Sequence, residues 1–141
     1  MPYITVTEAK NIIAVGGILG HYTHPDTQLF LEDELQADLN LVDALIRGGL
    51  ESCGYGAATI TSGSPAFLIL ADLAQRLFRA ISYKRGDHAT VPLSILDAER
   101  DARKELAKLD KLPGLNQIPN RKGMSYGSQP IKFGYEQTRG F

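Results

Sequence analysis

SPAFLILADLAQRLFRAISYKRG, residues Ser64–Gly86, decides the fold. Ser-Pro is a helix opening: the Ser side chain caps the free N–H groups, and Pro at the first helical position has no N–H to lose. Phe67, Leu70, Ala71, Ala74, Leu77, Phe78 and Ile81 then recur at steps of three and four, and Leu68 and Leu73 widen the face. A helix apolar over more than half its girth must be covered on several sides, so this one is expected at the centre of the fold. Tyr83-Lys84-Arg85-Gly86 ends it, with cations at the negative end of the macrodipole and Gly at the C′ position.

The segments around it supply the cover. Upstream, Leu35, Leu39, Val42, Ile46, Leu50 and Cys53 form one helical stripe, which predicts a long helix from about Asp33 to Cys53. Gly48-Gly49 in its interior costs about 1 kcal/mol per residue against Ala. Close approach of another backbone, or a kink, would explain the pair. Before it, PYITVTEAKNIIAVGG reads as a short helix with capping-box spacing at Thr5-x-x-Glu8 and a stop at Gly16-Gly17. Residues 18–31 read as a loop or mixed segment with turn chemistry at His24-Pro25-Asp26-Thr27. Downstream, a third long helix is predicted from about Pro92 to Asp110, with a narrow stripe of Ile95, Ala102, Leu106 and Leu109 on a charged background. The main loop, residues 54–65, is Gly-rich, and Ala57–Thr61 has enough β character for a short strand. Pro113, Pro119 and Pro130 forbid a continuous helix beyond Leu112. The expected class is all-α: a small antiparallel bundle of one short plus three long helices over residues 1–110, a Gly-rich loop, and an extended C-terminal arm over 111–141.

Charge divides the chain the same way. Residues 1–110 hold 10 Lys and Arg against 15 Asp and Glu, a net charge of −5, whereas residues 111–141 hold 5 against 1, a net charge of +4. A body and an arm of opposite sign suggest different tasks. The single cysteine, Cys53, excludes an intrachain disulfide framework and reads as a small buried hydrophobe. The opening residues lack a basic n-region and an apolar h-region, and the longest apolar run, Ala66–Ala71, is far short of a membrane span. A soluble protein made in a reducing cytosol, with no membrane partner, is the expectation.

No stretch carries catalytic spacing. Gly54-Tyr55-Gly56-Ala57-Ala58-Thr59 follows a helix rather than a strand, and Thr59 stands where a dinucleotide loop has its third Gly. His21-x-x-His24 with Asp26 lies in a loop before Pro25 and reads as a pair of solvent-exposed histidines rather than metal ligands. Ser62, Ser64 and His88 form no nucleophile motif, and Ser64 is better employed as a cap. The expectation is a non-enzyme with no cofactor and no metal.

Two stretches carry a family likeness. PYITVTEAKNI at the start, and SPAFLILADLAQRLFRAISYKRGD followed by LDAERDARKELAKL, resemble the small head–tail connector proteins of tailed bacteriophages, in particular the adaptor or head-completion proteins of the Mu-like type. The likeness covers most of residues 2–110 in pattern. The chain departs from that pattern in a longer 17–31 segment, and Gly54-Tyr55-Gly56 replaces the family's Arg-Tyr-Pro segment. The resemblance implies a virion structural protein at the head–tail interface, made in the host cytoplasm. It implies a homo-oligomeric, dodecameric ring beneath the portal protein, a channel that passes DNA without sequence-specific binding, and a platform for a stopper or tail-completion protein.

The arm then becomes the expected partner-binding element. Tyr126, Phe133, Tyr135 and Phe141 can bury large area on another chain at low entropy cost, and Arg121, Lys122, Lys132 and Arg139 can meet its carboxylates. Tyr55, Thr59 and Thr61 of the Gly-rich loop are expected to face the channel or the next ring. The competing reading is a small helical nucleic-acid-binding or regulatory protein whose arm stacks on bases.

Overall fold

The computed structural model describes residues 2–56, 58–86 and 90–115, and these fold as four α-helices with one 3-10 turn. The helices are α1 (Val6–Val15), α2 (Glu32–Ser52), α3 (Pro65–Lys84) and α4 (Leu93–Ala107). The all-α bundle expected from periodicity is what forms, and no strand occurs among the described residues. Residues 116–141, including Arg121, Lys122, Tyr126, Lys132, Phe133, Tyr135, Arg139 and Phe141, lie outside them.

Each helix begins where local chemistry starts it. In α1 the Thr5 hydroxyl accepts from the Glu8 N–H at 3.2 Å, and the Glu8 carboxylate accepts from the Thr5 N–H at 2.9 Å, a complete capping box. In α3 the Ser64 hydroxyl accepts from the Phe67 N–H at 3.2 Å, with Pro65 at the first helical position. α2 has no side-chain cap, and Glu32, Asp33 and Glu34 crowd its first turn instead, where the macrodipole favours negative charge. α4 starts one residue later than expected, at Leu93, with Pro92 as the cap residue.

Ion pairs and aromatic contacts give the directions. Arg76 meets Glu105 at 2.8 Å and Lys84 meets Glu99 at 2.6 Å, so α3 and α4 run antiparallel. Arg85 meets Asp38 at 2.6 Å. At the other end Tyr3 stacks on Phe67, with ring centroids 5.3 Å apart, and its N–H reaches the Asp43 carboxylate. α2 and α3 are therefore antiparallel too. Leu35, Leu39, Val42, Ile46 and Leu50 of α2 are buried against Leu70, Leu73, Ala74, Leu77 and Phe78 of α3 and Ala102 and Leu106 of α4. α3 touches each of the other three helices, as its apolar girth requires. Leu68 is the exception: it is 61 % exposed and widens nothing.

Gly49 is the close approach anticipated in α2. A Cβ there would overlap the Leu106 side chain and lie 3.2 Å from the Leu106 carbonyl oxygen, whereas one at Gly48 would meet nothing. Residues 18–31 are more ordered than a plain loop. The 3-10 turn Leu19–Tyr22 leads into an antiparallel bridge between Thr23 and Phe30. His24 organises the tip between them, its Nδ1 accepting from the Asp26 and Thr27 N–H groups. The anticipated strand does not form over Ala58–Thr61; the Gly-rich segment stays irregular there.

Candidate functional site

The place where the Gly-rich loop meets the root of the C-terminal arm is built by three residues after α2. Cys53 is half-buried, not a core hydrophobe. Its thiol lies 3.6 Å from the Leu106 and Ala107 carbonyl oxygens as a donor, and Sγ accepts from the Leu109 N–H at 3.4 Å. Gly54 then takes a left-handed φ of 91°, a conformation that a Cβ would strain, and this turns the chain back over the end of the bundle.

That reversal corrects the expectation for Tyr55. Its ring is 2 % exposed and faces the core, not a channel or a neighbour. Its hydroxyl donates to the Asp110 carbonyl at 2.7 Å and accepts from the Leu112 N–H at 3.0 Å. One phenol thereby satisfies two backbone groups of a segment that has left the helix, one of them the buried Leu112 N–H. Leu112 is buried and Leu115 packs on the core, so the body continues past residue 110. Thr59 and Thr61 are exposed, and they share a groove with Ser64, Pro65, Pro113, Gly114 and Leu115. The structure brings the exposed loop residues and the arm root together; the eight arm residues lie outside the described part.

A second cluster sits at the opposite end and has no counterpart in the sequence reading. Asp38, buried on the apolar stripe of α2, accepts from the Tyr22 hydroxyl at 2.6 Å and from Arg85 Nε and Nη2 at 2.6 and 3.2 Å. Arg85 also pairs with Glu34 and lies 4.8 Å over the Tyr22 ring. Burial, then the hydrogen bond to Asp38, pushes the Tyr22 hydroxyl well above its ordinary pKa, and the bond to Asp38 holds Arg85 above its own. His21 Nδ1 donates to the Ser82 carbonyl at 2.9 Å, and a Cβ on Gly86 would overlap the imidazole ring. His21 is therefore a strut between the 18–31 segment and the end of α3, not a free surface histidine. An acid inside an apolar stripe, one turn from Leu35 and from Val42, is the sequence signal that marks this cluster. Glu99 carries the same signal on α4. Burial acts to raise its pKa, but the hydrogen bonds and charges of Lys84 and Arg103 outweigh this and hold it below the usual range.

Both clusters are structural networks of satisfied groups. Among the described residues no group of three or more His, Cys, Asp or Glu is placed to hold a metal ion, and no helix is long and apolar enough to cross a membrane. The chain matches no protein-family model, no curated protein and no solved structure.

Proposed function

We propose that the chain is a structural head–tail adaptor of a tailed phage or phage-like particle. It forms a ring beneath the portal, extends the DNA channel and presents the platform for stopper or tail attachment. The observation that carries this reading is the anchored arm root. The Tyr55 clamp and buried Leu112 fix the chain on the bundle just before residues 116–141, and the sequence of those residues is rich in aromatic rings and cations while the body is acidic. A segment with spaced aromatics such as Tyr126 and Phe141 suits strand addition or groove binding on another chain. A net-negative body would not trap passing phosphates. The helical class agrees with what the likeness to Mu-like adaptors implies.

Electron microscopy of the purified protein, alone and mixed with the portal of the same particle, tests the reading. Rings that seat on the portal, and that a chain lacking residues 120–141 fails to form there, are the expected result. A monomer that ignores the portal, and shifts DNA in a gel at roughly 50 mM salt, would replace it with the nucleic-acid reading.

A further inference from the structure

One groove lies between the end of α1, the last turns of α3 and the start of α4. Ile12, Val15, Tyr83 and Ile95 give it apolar walls, and Asn11 and Arg79 are its polar members. Val15 is 80 % exposed there, which leaves an apolar surface without cover among the described residues. Among the described residues no carboxylate lines the groove, and Arg79 forms no ion pair with any of them. This sets it apart from the groove beside Tyr3, where Arg47 is accompanied by Asp43. An apolar groove with one exposed guanidinium, unpaired among the described residues, fits an apolar segment that carries one acid.

The chain holds such a segment. Phe133-Gly134-Tyr135-Glu136 contains the only acid of residues 111–141. In an extended conformation Phe133 and Tyr135 point to one side and Glu136 to the other. The rings then meet the apolar walls, and the carboxylate meets the rim. Reach is ample. The arm root at Pro113–Leu115 shares a groove with Pro65 at the start of α3, and Arg79 lies 14 residues along that helix, about 21 Å. The 18 residues from Leu115 to Phe133 span up to about 60 Å. The geometry points to this groove as the receptor for residues 133–136 of the chain's own arm, with Glu136 paired to Arg79. The inference does not rest on the adaptor reading and can hold or fail without it.

Hydrogen exchange of the full chain, followed by mass spectrometry over residues 130–138, tests it. Wild-type amides there are expected to exchange slowly, and R79E is expected to accelerate them by about fivefold or more, the scale of one partly exposed ion pair reversed in sign. The double variant R79E/E136R is expected to regain the protection, and V15N, which adds no charge, to weaken it by making the apolar wall polar. Arg79 and Val15 are both exposed, so the bundle should stay folded, which far-UV circular dichroism checks. Wild-type exchange at free-peptide rates, or protection indifferent to R79E, or a charge swap that restores nothing, would overturn the assignment. Ring formation on the portal and protection of residues 130–138 in the isolated chain are separate readouts, so either reading can fail while the other holds.

Discussion

Gly48 and Gly49 are neighbours on one helix with opposite prospects. A methyl group at position 48 enters open space, so Gly48→Ala should gain about 1 kcal/mol by relieving the helix of its most flexible residue. At position 49 the same methyl meets Leu106, and α4 must move to admit it; Gly49→Ala should cost about 1–3 kcal/mol. Urea melts of the two variants decide this, and equal midpoints would mean that α2 and α4 are not in close contact. Glu99 makes a prediction in pH. Its folded pKa is lowered, so the stability it contributes is fully present above the ordinary carboxylate value, roughly 4.3, and is lost as pH falls through the depressed one. Glu99→Gln should cost about 1–3 kcal/mol at pH 7 through weakened bonds to Lys84 and Arg103. The gap to wild type should narrow as the pH falls below that value. A gap that stays constant down to pH 2.5 would show that Glu99 is not held as the anion.

At the scale of elements, the Tyr55 clamp is the joint on which the arm root depends. Tyr55→Phe keeps the ring in the core but leaves the Leu112 N–H and the Asp110 carbonyl without their partner, a loss of about 1–3 kcal/mol. The damage should be local. Exchange of the Leu112 amide should rise more than that of amides in the middle of α3, and a uniform rise would assign the hydroxyl to global stability instead. Tyr55 also shows which parts of the fold were legible. α1 and α3 could be read because their caps and stripes are local: Thr5 with Glu8, and Ser64 with Pro65, signal within four residues. The inward turn of Tyr55 depends on Asp110 and Leu112, 55 and 57 residues away, and no local pattern announces them. The Thr23–Phe30 bridge and the His21 strut are tertiary in the same way. Asp38 and Glu99 lie between these cases, since an acid on an apolar stripe is visible in sequence although its cationic partner is not.

At the scale of the molecule, the chain joins an acidic bundle, whose described residues form one apolar core, to a segment of sequence rich in cations and aromatic rings. Where one ends and the other begins can be measured by cutting. Leu109, Leu112 and Leu115 all pack on the core after α4 has ended, and the first two are buried. A chain stopped at residue 115 keeps them and the Tyr55 partners, so its unfolding free energy should lie within about 1 kcal/mol of the full chain, the scale of a surface-docked segment. A chain stopped at residue 108 loses both buried leucines and both partners of the Tyr55 hydroxyl. Removing a buried leucine side chain costs about 2–5 kcal/mol, so this cut should remove much of a small domain's stability. Thermal melts of the two truncations give the comparison. If both lost the same amount, the arm beyond 115 would be part of the core, and its rings would not be free for another surface. If the 115 chain kept its stability yet no longer joined the portal, the body and the arm would be separable, one for folding and one for attachment.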